Sequence, residues 1–166
     1  MARDFYLKID TIVGESEDHE HKDWIEVEAF SWGESQAIVG TTSSSGGRTA
    51  ERVHHQDLVV TKLIDKSTPI LELACSSGQH FKKAELELFR ASADGDKRVR
   101  YYKITFTDLI VSSFAQQGGG GGIPTEQVSF NYAEIKWEYI PQKKEAPGGA
   151  LPAIVTGWSL KHNKKV

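Results

Sequence analysis

The sequence predicts a mainly β protein: a compact β-barrel of long antiparallel strands with one short flanking α-helix and long loops. Three observations carry that expectation. Strict apolar–polar alternation, the period of a half-buried strand, recurs in Phe5-Tyr6-Leu7-Lys8-Ile9 and in Ala84-Glu85-Leu86-Glu87-Leu88. Helical punctuation occurs convincingly once. Thr68 offers an N-cap oxygen, Pro69 stands at the first helical position where its missing N–H costs nothing, and Gly78 can end the helix in a left-handed turn. Large apolar residues also change phase in two neighbouring strands, from Ile104 and Phe106 to Leu109 and Val111, and from Val128, Phe130 and Tyr132 to Ile135, Trp137 and Tyr139. A strand exchanges its buried face only at a bulge or bend, and two long strands that do so together favour a small barrel.

Taken in order, the first strand lies near residues 4–13, and Gly14 to Asp23 is a charged loop. The second strand covers 24–36, with Ile25, Val27 and Ala29 on one face and Glu26 and Glu28 on the other. Phe30 and Trp32 then arrive on the acidic face, which calls for a bulge or for burial on both sides. Gly40 to Arg52 is a Ser/Thr/Gly-rich excursion, and a loop of that length is a contact candidate. Residues 53–61 return as a strand on which His54 and His55 point to opposite faces. Ile70, Leu71, Leu73 and Ala74 give the helix a small apolar face. Strands over 82–91 and 99–113 read as a hairpin about Asp94-Gly95. Gly118 to Gly122 leads to a strand over 126–140, a Lys/Pro/Gly-rich loop follows, and a last strand covers 153–160 before a basic tail. The 166 residues suffice for a single domain over residues 1–166 with a real core.

Composition narrows the function. A net charge of −3 disfavours nucleic acid as a partner, and no apolar run approaches the roughly 20 residues of a membrane span. Residues 1–13 enter a strand pattern without a basic-then-apolar signal segment. Cys75, the lone cysteine, is expected to be a small buried apolar residue in a reducing compartment.

No catalytic constellation emerges. His19-Glu20-His21, with Asp18 and Asp23 nearby, lacks the i, i+4 spacing of a zinc helix. A metal-dependent hydrolase built on His19, His21 and His54 is therefore the weakest reading. Gly118–Gly122 is followed by Ile123-Pro124, not by the Lys-Ser/Thr pair of a phosphate loop. Glu26/Glu28 and Glu85/Glu87 read as the polar sides of strands, and Trp24, Trp32, Trp137 and Trp158 as core or interface aromatics. Neither catalysis, a cofactor nor a metal is expected. Apolar residues on both faces of some strands, together with long polar loops, favour binding or assembly. A soluble barrel that binds a small molecule or sugar through its Trp and Tyr residues is the alternative.

The block Thr61-Lys62-Leu63-Ile64-Asp65-Lys66-Ser67-Thr68-Pro69, followed by Ala74-Cys75-Ser76-Ser77-Gly78, resembles the haemolysin-coregulated protein (Hcp) family, the inner-tube subunits of bacterial type VI secretion systems. The likeness extends to Phe30-Ser31-Trp32-Gly33, Leu109-Ile110-Val111-Ser112-Ser113, Glu126-Gln127-Val128-Ser129-Phe130 and Gly157-Trp158-Ser159-Leu160. The motif positions are Lys62, Asp65, Lys66, Ser67, Thr68, Pro69 and Gly78. The resemblance implies two antiparallel sheets forming a barrel with a flanking helix, and a homohexameric ring that stacks into a tube. It implies as partners a contractile sheath, a valine-glycine-repeat spike and small effector proteins carried in the lumen. Assembly in the bacterial cytoplasm followed by secretion without a signal peptide is implied too. By position, Thr41, Thr42, Ser43, Ser44, Ser45 and Arg48 fall in the family's ring-stacking loop, and Ser31 is a candidate for the lumen wall.

Overall fold

A computed structural model describes residues 4–39, 49–91, 97–142 and 151–166 of the chain. The elements are β1 (Phe5–Ile9), β2 (Ile25–Val27), β3 (Ala29–Ser31), β4 (Glu34–Ser35), β5 (Ile38–Val39), β6 (Thr49–Ala50) and β7 (His54–His55). They continue with β8 (Leu58–Leu63), α1 (Thr68–Ser77), β9 (His80–Ala91), β10 (Arg98–Gln117), β11 (Thr125–Tyr139), β12 (Ile154–Ser159) and β13 (Lys164–Lys165).

All the ladders are antiparallel, and β11 is their hub. One of its edges runs along β10, while the other is shared: Thr125–Phe130 pairs with β8, and Glu134–Tyr139 pairs with β12. β10 continues to β9, β9 to β1, and β1 to β2. β2 and β3 are one chain segment broken at Glu28. β2 pairs with β1 and β3 with β8, while the Glu28 N–H donates to Thr61 O at 2.8 Å. Strand pairing therefore travels from β1 through β9, β10, β11 and β8 to β3, and the chain itself returns it to β1. The result is a barrel of two antiparallel sheets whose seam is a break in one strand, not an unbroken ladder. Leu7, Ile25, Leu58, Val60, Leu86, Ile104, Phe106, Val128, Phe130 and Ile135 fill it almost without exposure. Full burial of such side chains is worth about 1.5–3 kcal/mol each.

The break at Glu28 corrects the expected face assignment of the second strand. Ile25 and Val27 are buried, but Ala29 and Ser31 are exposed, and Phe30 turns inward against Phe5 with ring centroids 5.4 Å apart. The exchange follows from the segment leaving one sheet for the other. β1 also ends earlier than expected, because Thr11 takes a φ of 70° and turns Ile12 back onto Ile9. The region 53–61 divides into β7 and β8.

In β10 the phase change sits at Asp108, which adopts a φ of 55°. Ile104, Phe106, Leu109 and Val111 are all buried, while Thr107 and Asp108 between them are exposed. Directly alongside, β11 switches from Tyr132 to Ile135, and Thr107 pairs with Glu134 while Leu109 pairs with Tyr132. The two strands bend together, so a single ladder serves both sheets.

The helix spans Thr68–Ser77, one residue earlier at its start than an N-cap at Thr68 would give. Ser67 is the cap residue and makes no side-chain capping bond, because its own hydroxyl donates to Asp65 Oδ1. Gly78 closes the helix at φ 69°, its N–H donating to Ala74 O at 3.0 Å, as the sequence indicates. The buried face is narrower than expected. Leu71 and Ala74 are buried against β10, whereas Ile70 and Leu73 face outward.

Gly157, in β12, is fixed by close approach: a Cβ there would lie 2.9 Å from Ile135 O and 2.7 Å from Lys136 Cγ. Gly157→Ala is expected to lower unfolding stability by about 1–3 kcal/mol through this overpacking. Urea denaturation measures it, and a midpoint equal to that of the parent chain would contradict the assignment.

Candidate functional site

The motif residues converge at the joint between β8, β11 and α1. Lys62 continues the inward phase of Leu58 and Val60 and is completely buried. Its Nζ donates to Glu126 Oε1 at 2.5 Å, Asp65 Oδ1 at 2.9 Å and Leu63 O at 3.0 Å, with Thr68 Oγ1 at 3.4 Å. Glu126 is also buried. It accepts a hydrogen bond from the Thr68 hydroxyl at 2.8 Å and one from Gln116 Nε2 at 3.3 Å. Asp65 Oδ1 accepts from the Ser67 N–H at 2.9 Å and from its hydroxyl, and the Asp65 N–H donates to Thr68 Oγ1 at 3.1 Å. An unpaired charge at such a depth costs several kcal/mol, so the site is stable only because every member is satisfied. Lys66 belongs to the surface, 3.9 Å from Asp23, with Lys66 and Asp23 both about half exposed. The Lys-x-x-Asp-Lys-Ser-Thr-Pro block therefore builds a structural joint. It presents no open position for a ligand.

A second charged cluster lies where the loop carrying Asp18 and His21 meets β1, β9 and β10. His21 is buried, its Nδ1 2.8 Å from Asp18 Oδ1 and its Nε2 2.9 Å from Glu87 Oε2. The ring stacks on Tyr6 at 4.4 Å and meets Trp24 and Phe89 edge-on. Arg98 binds Asp18 and the Tyr6 hydroxyl, and Arg100 binds Glu87 at 2.7 Å and Glu138 at 3.3 Å. Burial pushes the Glu87 carboxyl up, but hydrogen bonds from His21 and Arg100 and the charges of Arg100 and Lys103 outweigh it. The carboxyl is held below its usual range. Asp18 is held low likewise: burial raises it, and His21, the Glu20 N–H and Arg98 more than compensate.

Of the histidines weighed for metal, His21 is engaged with two carboxylates among aromatic rings, and His54 stands exposed on β7 opposite Ser35. Among the described residues no group of three His, Cys, Asp or Glu is disposed to hold an ion. Cys75 is half-buried against the core. Ser31 is exposed on β3, paired with Val59. Thr41, Thr42, Ser43, Ser44, Ser45 and Arg48 lie outside the described residues; β5 and β6 on either side of them pair as Ile38 with Ala50 and Val39 with Thr49.

Sequence reasoning assigns Glu87 to a solvated face and gives Glu126 and His21 no role in the fold. Glu126 does carry a signal, because it stands in phase with Val128, Phe130 and Tyr132, all of them buried. Lys62 stands likewise in phase with Leu58 and Val60. Glu87 and His21 carry none, since their partner is 66 residues away.

The surface offers an apolar edge. β13 pairs only with Trp158 and Ser159, so Ile154 to Thr156 meet β11 on one side and no strand among the described residues on the other. Ile154 and Val155 are more than half exposed, and Tyr139 and Leu151 beside them are about two-fifths exposed.

Comparison with known proteins agrees along the whole chain. Residues 6–139 match the family described as type VI secretion system effector, Hcp. Protein hcp1 of Pseudomonas aeruginosa is 42% identical over 164 residues, 98% of each chain. The major exported protein of the same organism is 30% identical over 134 residues, 76% of this chain and 75% of that one. A solved structure of a type six secretion system protein superposes with a TM-score of 0.89 at 37% identity, covering 99% of this chain and all of the other.

Because Asp18 and Glu87 titrate below their unfolded values, they contribute stability that is present above roughly pH 4 and is lost as pH falls below it. Glu87→Gln is expected to flatten the rise of the denaturation midpoint between about pH 3 and pH 5. An unchanged slope would show that Glu87 is not held low by the cluster.

Proposed function

The chain belongs to the Hcp family of the type VI secretion system, and on that premise we propose that it is a structural subunit of the inner tube and not an enzyme. Six copies close into a ring by side-by-side heterologous contact, because a head-to-tail interface whose rotation closes gives a cyclic oligomer. The observation that supports this reading best is the exposed apolar edge at Ile154 and Val155, which no strand among the described residues covers, in a chain 42% identical to Protein hcp1 over 98% of its length. A solvated edge of that kind is a template for pairing with another copy.

Rings stack into a tube through the segment 40–48, with Thr41 to Ser45 and Arg48 contacting the next ring from the base made by β5 and β6. Ser31, small, polar and exposed, belongs to the lumen wall that carries effector proteins. The sheath and the valine-glycine-repeat spike are the remaining partners. The tube assembles in the cytoplasm and leaves through the apparatus itself, consistent with likeness to a major exported protein.

Size-exclusion chromatography with light scattering, followed by negative-stain microscopy, tests the proposal. A species of about six times the monomer mass, seen as open rings, is expected. Val155→Asp should shift it towards the monomer while leaving the circular dichroism melting curve in place. A parent chain that stays monomeric at high concentration in mild salt overturns the reading.

A further inference from the structure

The arm that leads to segment 40–48 is held to the barrel by little backbone. β4 and β7 pair over two residues, Glu34 with His55 and Ser35 with His54, and the Gln56 N–H donates to Gly33 O at 2.9 Å. Further out, β5 and β6 add two pairs, and the Glu51 N–H donates to Ala37 O at 3.0 Å. Ladders this short open locally at small cost unless side chains hold them. Arg52 supplies one fastening, its Nη2 donating to Leu160 O at 2.5 Å. His55 supplies another. Its side chain turns inward from β7 and is buried, near parallel to Trp137 at 6.4 Å, with Trp32 at 5.9 Å and Tyr132 edge-on at 6.1 Å.

That seat suits a ring with one proton and not two. The Tyr132 hydroxyl accepts from Trp32 Nε1 and donates to Gln56 O at 3.0 Å, so its own proton is used. His55 Nδ1, 3.4 Å from that hydroxyl, is then the donor, and Nε2 keeps the lone pair. Nε2 is buried and has no hydrogen-bond partner among the described residues. A second proton there would create a charge closed off from water. Glu34 Oε2 touches Nε2 at 3.4 Å without a hydrogen bond, and Glu34 is about half exposed, so solvent screens its charge. The Tyr132 phenol, pushed up to about 12 by burial, stays neutral, and exposed His54 opposes a further positive charge. Burial prevails and lowers the His55 pKa, with His54 adding to it and Glu34 opposing. Released from the seat, the ring returns to its ordinary value of 6.5. The seated arm is therefore favoured in full above that pH and loses ground as pH falls below it.

We propose that His55 is a proton-operated wedge: seated neutral under β4 and β7 it holds the arm to the barrel, and on protonation it leaves the seat and the arm opens. Acid acts by trapping the ring whenever the short ladders part, since the released form binds the proton better. Every group involved belongs to one chain, so the inference goes beyond the tube reading. Only its consequence, that acid unfastens rings joined through segment 40–48, rests on that reading.

Native-state hydrogen exchange on the full chain, corrected for the intrinsic pH dependence of exchange, tests the wedge. The Gln56 N–H reports the arm, and the Val60 N–H, in a strand flanked by β3 and β11, reports the whole fold. Between about pH 7.5 and pH 5, protection at Gln56 is expected to fall at least about fivefold relative to Val60. His55→Phe keeps a flat ring and removes the titrating nitrogens, so it should flatten this dependence. Glu34→Gln removes the carboxylate that favours the charged ring and should deepen the loss at the acid end. Glu34 is exposed on β4, so this variant keeps the test open should His55→Phe fail to fold. Protection at Gln56 that does not change with pH overturns the wedge. So does acid opening that His55→Phe retains in full, or that Glu34→Gln abolishes, which would make the carboxylate the trigger. Each of these results leaves the tube reading standing.

Discussion

The contact on which the rest of the structure depends is the buried pair of Lys62 and Glu126. Each sits in the inward phase of its strand, where an apolar residue would ordinarily stand, and each is withdrawn completely from water. Taking two charges to that depth is costly and is repaid only by dense hydrogen bonding. The ammonium accordingly meets Glu126, Asp65, a backbone carbonyl and the Thr68 hydroxyl, and the second carboxylate oxygen of Glu126 meets Gln116. Because those groups come from β8, the turn after it, the first residue of α1, β10 and β11, the pair fixes the helix to both sheets at once. A hydrophobic pair could fill the space, but it would not orient the turn. Asp65, Ser67 and Thr68 are therefore found together in sequence because one ammonium group organises them.

That joint also explains what was legible in the sequence and what was not. Strand alternation in β1 and β9 and the left-handed stop at Gly78 follow from local rules and were readable. The coincident phase changes of β10 and β11 were readable too, since a bend must show in the order of large apolar residues. Thr68 was legible as a helix-start residue but not in its role: its oxygen serves Lys62 and Glu126 instead of the helix N-terminus. The break at Glu28 was readable only as the bulge or double burial that Phe30 and Trp32 call for, not as a change of partner strands. His21 and Glu87 were hidden for a related reason. Long-range ion pairing leaves no period in a sequence, and a carboxylate that alternates with leucines looks solvated until its partner arrives from another loop.

The arrangement separates rigidity from contact. Charged clusters and the aromatic core lock the barrel from within, while exposed apolar groups include Ile154 and Val155 on the β12 edge and Ile70 and Leu73 on the outer face of α1. A subunit that must repeat without strain along a tube needs a body that does not deform and edges left for other copies.

The most direct test of the joint is a double-mutant cycle on unfolding free energy with Lys62→Met, Glu126→Leu and both together. Lys62→Met leaves the Glu126 carboxylate buried without its cation and costs about 3–5 kcal/mol, while Glu126→Leu leaves Lys62 with Asp65 as its remaining carboxylate and costs less. The double variant should then recover a large part of that loss, giving a coupling of at least about 2 kcal/mol. Losses that simply add would contradict the account, because they would mean that Lys62 and Glu126 stabilise the barrel independently.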